Sequence, residues 1–298
     1  MSEGFGFRSL HPAVLLIYFA GGIAFGMLLF HPLILLCGWI ACLLVNWHLD
    51  GGRAWRRWLV PMFSMLLFLL LINPLVSHRG RTVWFYLGDI PITYESVAYG
   101  VTMAIFLLGL LTLFVAYRIV LTESKFLYLF ARISPKFALL VMMATGLIPR
   151  LRRRLADLTL IQQTRGIDVR SGTVAARARS GIRIVASLLA WTLEDALQTA
   201  DSMQARGYGT GPRSAYSSYA FRARDCLTAA GLLLAAGAAA FAWWQGYGDL
   251  HIYPRLEPIA LHAGDWLALG AYVLFLLLPL VWEWRDRRAW LVLNGAAR

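Results

Sequence analysis

Three cysteines, two lysines and no recognisable reactive motif set the first limits on this chain of 298 residues. Cys37, Cys42 and Cys226 form no CxxC and no plausible zinc set. The first two sit in an apolar run, where cysteine behaves as a small hydrophobe. The only lysines are Lys125 and Lys136. Neither follows the glycines of a GxxxxGK(S/T) loop, so the chain is not itself a nucleotide-hydrolysing motor. HExxH and GxSxG are missing too, and no set of reactive groups converges, so no enzyme and no cofactor or metal site is expected. His11, His31, His48, His78, His251 and His262 are scattered, mostly near the ends of apolar runs. Few charges fall inside those runs, so no proton or ion relay is evident, which argues against a self-sufficient carrier.

What the chain has in excess is apolar length. Hydrophobic residues make up 59% of it, mean hydropathy is +0.61, and several runs approach or exceed the roughly 18 residues that mark a membrane helix. The pattern predicts an all-α polytopic membrane protein with about six spans. They run from about Pro12 to Phe30, from Pro32 to Val45 after the His31-Pro32 break, and from Leu59 to Ile72. The others run from Ser96 to Leu121, Cys226 to Trp244 and Trp266 to Trp282. The first run extends past a signal-peptide core without a small-residue cleavage site, so it is expected to remain as a span. Phe137 to Ile148 is apolar but too short to cross alone. The segment Asn73 to Glu95, with Gly80, Gly88 and Pro91, reads as a loop with room for a short strand.

The formal charge of +12 would suggest nucleic acid in a soluble protein. In a bilayer protein, basic residues gather on cytoplasmic segments instead. Arg53, Arg56 and Arg57, the region 149–225, and Arg285, Arg287 and Arg288 therefore belong inside, and no nucleic-acid partner is expected. The segments 73–95 and 245–265 balance their charges and fall outside, although Arg79 and Arg81 sit awkwardly there. Both termini are then cytoplasmic, and the chain divides into a membrane domain at 1–148, a cytoplasmic region at 149–225, and terminal helices with a basic tail at 226–298.

The cytoplasmic region has its own pattern. Leu151, Leu155, Leu158 and Ile161 share one helical face, with Arg152, Arg153, Asp157 and Gln163 opposite. Pro149 suits the first turn of this helix and Gly166 its stop. In a second helix Ile182, Val185, Leu189, Leu193, Ala196, Ala200 and Met203 form an apolar stripe, with Glu194, Asp195, Gln198 and Asp201 on the polar side; Gly207, Gly209, Gly211 and Pro212 end it. Thr164-Arg165-Gly166 and Ala205-Arg206-Gly207 thus occupy equivalent places. Arginine and glycine at a helix C-terminus are ordinary features for one helix. Two copies in the largest charged region point instead to a pair of guanidiniums presented to a soluble partner. Gly22 and Gly26 form a GxxxG, and Gly231, Ala235 and Gly237 to Ala240 form a small-residue face; both suit close helix approach, within this subunit or to another.

On these residues the chain resembles the transmembrane coupling subunit, or T component, of energy-coupling factor transporters, a family that also serves cobalt uptake. The likeness covers most of the chain and is sharpest from about Leu121 to Ser214. Its most specific piece is Ala196, Ala200 and Met203 followed by Ala205-Arg206-Gly207-Tyr208, with Arg213-Ser214 resembling the family's Arg-Thr. Thr164-Arg165-Gly166 resembles its other Ala-Arg-Gly, and Ile148-Pro149 the end of its Arg-Phe-Ile-Pro, where Gly146-Leu147 replaces Arg-Phe. Glu194-Asp195 stands where the family pattern has a basic residue. The resemblance implies a multi-pass subunit of the cell (plasma or inner) membrane, with ATP bound by partners rather than by this chain. Those partners would be two ABC-type ATPases, docked on Thr164, Arg165, Gly166, Ala205, Arg206 and Gly207, and a membrane component that binds a vitamin or metal ion. The apolar stripes would brace the two helices against each other and the membrane domain. Two other classes fit the residues alone: a stand-alone carrier or channel, and a membrane scaffold whose arginines bind anionic lipid.

Overall fold

The computed structural model describes residues 6–77, 80–87, 90–166, 173–211, 219–253 and 257–295. His78, Arg79, Gly88, Asp89, Pro212, Arg213, Ser214 and Arg255, on which parts of the sequence reading rest, lie outside the described residues. After a 3-10 turn at Gly6–Ser9, the described chain forms α1 (Pro12–Leu28), α2 (Pro32–Asp50), α3 (Arg53–Val76), β1 (Val83–Leu87), β2 (Ile90–Thr93) and α4 (Tyr94–Val120). It continues with α5 (Glu123–Ile133), α6 (Pro135–Thr164), α7 (Val174–Ala205), α8 (Ala223–Trp244) and α9 (Ala263–Gly295). The contacts divide it into two compact units, Met1–Phe126 with Tyr219–Arg298, and Leu127–Ser218.

The first unit is the apolar one, and local chemistry sets its helix boundaries. Pro12 and Pro32 each open a helix, where a missing N–H costs nothing. The preceding histidines cap them: His11 Nδ1 accepts the Ala13 N–H at 3.2 Å and His31 Nδ1 accepts that of Leu33 at 3.3 Å. Thr93 caps α4 through the Ser96 N–H at 3.3 Å. Among the described residues, five helices are long and apolar enough to cross a membrane: α2, α3, α4, α8 and the Ala263–Arg285 part of α9. The sixth expected span, α1, is apolar but has only 17 residues, the lower edge of the spanning range of about 17–25. The stop is His31-Pro32, which closes α1 before it reaches the length of its neighbours.

The segment expected as a loop between the third and fourth spans contains a hairpin. β1 and β2 pair antiparallel, with Tyr86 opposite Pro91 and a register shift between Val83 and Phe85. The buried carboxylate of Glu95, at the start of α4, accepts the Thr82 N–H at 3.1 Å and also the Thr82 hydroxyl, and so ties the approach to the hairpin onto the helix.

Apolar burial does not drive helices together in lipid, so close packing and buried hydrogen bonds have to. Tyr18 on α1 stacks on Phe275 of α9, with centroids 5.8 Å apart, and its hydroxyl donates to the Leu276 carbonyl at 2.9 Å. Asn46 on α2 donates to the Thr112 carbonyl of α4 at 2.9 Å, and Trp39 donates to the Thr112 hydroxyl at 3.2 Å. The GxxxG is used inside this unit, with Gly22 against Leu113 and Leu276 and Gly26 against Tyr272 and Phe106; the second small-residue face is used in part, with Gly231 against Leu278 while Gly237 faces open space.

The second unit is built on α6 and α7. Here the structure corrects the sequence reading. Pro149 does not start a helix; α6 begins at Pro135, another proline at a first turn, and runs unbroken through Pro149 to Thr164. The apolar stretch 137–148 and the charged stretch 150–164 are therefore one helix of 30 residues. The polar stretch that follows α4 is also helical, as α5 from Glu123. Lys125, within the first unit, is buried and donates to the carbonyls of Arg8 and Val120, the latter at 3.1 Å.

Candidate functional site: two capped helix tips

Both arginine triplets fold the same way. Arg165 is the C-cap of α6 at φ −90° and ψ 8°, and Arg206 is the C-cap of α7 at φ −83° and ψ 5°. The glycine that follows is left-handed in each case, φ +75° at Gly166 and +80° at Gly207. Gly166 donates its N–H to the Gln163 carbonyl at 3.0 Å, and Gly207 donates to that of Gln204 at 2.9 Å. In α7 the motif is complete, because Tyr208 also donates to the Met203 carbonyl at 2.9 Å. This is the pair of bonds that closes a helix end on a left-handed residue, and an L side chain at that position would be strained. Thr164 donates its hydroxyl to the Ile161 carbonyl at 2.7 Å, while Ala205 is the last helical residue of α7. All six residues are exposed. Neither Arg165 nor Arg206 is among the side chains with a hydrogen bond or ion pair inside the described chain. Two guanidiniums with their full set of donors thus stand at two helix C-termini, where the local dipole favours a positive charge.

The contacts between α6 and α7 set where those tips lie. Arg150 donates to the Asp195 carboxylate at 3.0 Å, and the Arg154 guanidinium lies 5.3 Å from the centre of the Trp191 ring. One turn further along α6 meets one turn further back along α7, so the helices run past each other in opposite senses. From that meeting point Arg165 lies fifteen residues onward in α6 and Arg206 eleven residues onward in α7. At about 1.5 Å per residue these arms reach about 22 Å and about 16 Å, in opposing directions. The structure therefore does not gather the two triplets into one cluster but sets them at two separate helix ends.

The face that joins the helices is only partly the one the apolar pattern suggests. Ile182, Val185, Leu189 and Leu193 are 68%, 51%, 58% and 67% exposed. Leu155 and Ile161 on α6 are exposed as well. The exposed members of these stripes do not brace the two helices, whereas Leu151 and Leu158 of the α6 stripe and Met203 of the α7 stripe are partly buried. The contacts between α6 and α7 fall on Arg150 and Arg154 of one and Asp195 and Trp191 of the other; the sheltered positions of this unit also include the buried Ile184 and partly buried Leu188 of α7 and the partly buried Gln162 of α6. Sequence reasoning placed Asp195 on the polar side and passed over Arg150, Arg154 and Trp191. A signal was present: Arg150 and Arg154 are four residues apart, as are Trp191 and Asp195, so each pair shares a helix face.

Residues 9–216 match the family described as CbiQ, cobalt transport protein. The chain is also similar to proteins named energy-coupling factor transporter transmembrane protein EcfT. That of Acidaminococcus fermentans is 29% identical over 199 residues, covering 63% of this chain and 74% of the relative. That of Lacticaseibacillus paracasei is 24% identical over 210 residues, covering 67% and 76%. That of Streptococcus thermophilus is 26% identical over 186 residues, covering 58% and 69%.

Proposed function

This chain belongs to the CbiQ cobalt transport protein family, and as a multi-pass transporter component we propose that it couples ATP hydrolysis by separate subunits to uptake through an energy-coupling factor importer. Two ABC-type ATPases would take up the tips, one at Arg165 and one at Arg206. Each guanidinium would form charge-assisted hydrogen bonds with carboxylates or carbonyls in an ATPase groove. Closure of the ATPases on ATP would displace the tips, and the movement would pass along α6 and α7 to a membrane component that binds a vitamin or a transition-metal ion. The ends of α2 and α4, the 149–225 region and both termini would face the cytoplasm, by the placement of basic residues.

The observation that carries this reading is the repeated tip: two exposed arginines, each followed by a left-handed glycine, on arms that leave their crossing in opposite directions. One site would need one such tip, whereas two ATPase subunits need two, well separated. The test is Arg165→Ala with Arg206→Ala in the full chain, purified in mild detergent from its own host, with co-purified chains identified. Loss of ATP-binding subunits is expected, and their undiminished recovery would refute the assignment.

A further inference from the structure

We propose that Arg150, Arg154, Trp191 and Asp195 form a two-point latch that fixes how α6 crosses α7, and so are positioning residues for the two arginine tips. This rests on the reading of those tips as ATPase docking points, and extends it to what holds them in place.

The latch has two unlike contacts one helical turn apart. At one point an ion pair closes at 3.0 Å between Arg150 and Asp195. At the other, the Arg154 guanidinium covers the Trp191 ring at 5.3 Å, with its Nε enclosed and left without a hydrogen-bond partner. A cation over the face of an indole is held by the ring's charge distribution, and it needs that face rather than an edge. One contact alone would act as a pivot. Two contacts a turn apart set both the angle and the register of the crossing.

Among the described residues, these are the two side-chain contacts of fixed direction between α6 and α7. The large apolar residues at positions 182, 185, 189 and 193 turn away from the crossing. Ile184 is the only fully buried residue of α7. The ion pair is half exposed, with side-chain accessibilities of 50% and 26%, so it contributes little to overall stability. Its effect is geometric. A small rotation at the crossing is magnified at the ends of arms about 22 Å and about 16 Å long. Pro149 immediately precedes Arg150 and removes one backbone hydrogen bond from α6. The ladder is thus weakest beside the latch, which is where α6 needs an outside constraint.

The test measures the separation of the tips directly. Thr164→Cys and Ala205→Cys are introduced in the full chain with Cys37, Cys42 and Cys226 replaced by alanine. Spin labels on the two new cysteines report the distance distribution in lipid nanodiscs. The parent is expected to give one narrow distribution. Asp195→Arg and Arg150→Asp are each expected to broaden it at least two-fold, and the combined swap, R150D with D195R, to narrow it again. Trp191→Ala should broaden it and Trp191→Phe should preserve it. In chains purified from the host, Asp195→Arg should lower recovery of ATPase subunits at least two-fold, with the swap restoring it.

A distribution unchanged by Asp195→Arg and by Trp191→Ala, or a swap that fails to restore it, overturns the latch. So does full ATPase recovery with Asp195→Arg. The docking reading fails separately, if Arg165→Ala with Arg206→Ala keeps its ATPases while the distance measurements still show the latch.

Discussion

Asp225, at the start of α8, accepts the backbone N–H of His11 at 3.0 Å, across 214 residues of chain. Its other oxygen accepts the N–H of Arg222, the N-cap residue of α8, at 2.9 Å. One buried carboxylate, 2% exposed, thus holds the beginnings of α1 and α8 side by side. The entire second unit lies between these two residues in sequence, so Asp225 fixes the point at which the chain rejoins the helices it left.

Replacing Asp225 with alanine leaves two backbone donors without their charged acceptor. The expected cost is about 3 kcal/mol, the scale for losing hydrogen bonds to a buried charged group. Asparagine keeps one acceptor and should cost about half as much on the same scale. Thermal unfolding of the detergent-solubilised chain checks the order: parent, then Asp225→Asn, then Asp225→Ala.

The two tips should distinguish guanidinium from plain charge. Lysine at both Arg165 and Arg206 preserves the charge of each tip and its attraction to anionic lipid, but removes the planar fork. Docking into a groove should weaken roughly ten-fold, a loss of about 1.4 kcal/mol, measured as recovery of ATPase subunits at rising salt. Recovery equal to the parent's would favour a surface that reads charge alone.

Gly207 should resist substitution by alanine and accept asparagine better. Its φ of +80° costs an ordinary L residue about 1–2 kcal/mol, whereas asparagine enters the left-handed region more readily. Amide exchange at Tyr208, whose N–H closes the motif on Met203, should quicken with Gly207→Ala and much less with Gly207→Asn. Equal exchange in the two variants would contradict the cap.

His31 makes the first unit sensitive to acid. Its ring is 2% exposed, and burial lowers its pKa from the ordinary 6.5, partly offset by the charges of Asp265 and Asp249. The folded chain therefore resists the proton that the unfolded chain accepts. Stability from this group is complete above pH 6.5 and is lost as pH falls through the lowered value. Protonation would also take the Nδ1 lone pair that caps Leu33. The thermal midpoint should fall between neutral pH and about pH 5, in the direction linkage requires, and His31→Asn should flatten that fall while keeping a capping side chain.

Much of this molecule was legible because the features concerned are local. His31-Pro32 ends one helix and starts the next through a cap and a ring that need no distant contact. The sequences Thr164-Arg165-Gly166 and Ala205-Arg206-Gly207 announce helix ends because only glycine takes the left-handed turn freely, and the structure has that turn at both. Pro149 misled for a related reason: proline suits a first turn, yet a helix with enough apolar and charged length on each side tolerates it inside.

The sequence by itself determined the apolar helices and the two glycine-capped tips, since hydropathy, periodicity and backbone preference act over a few residues. Only the tertiary structure decided that Arg154 meets Trp191 while Leu189 and Leu193 face outward, and that the tips leave their crossing in opposing directions. Those outcomes depend on which face of α6 meets which face of α7. Periodicity identifies an apolar stripe, but an exposed stripe and a packed one have the same spacing, and only the partner helix tells them apart.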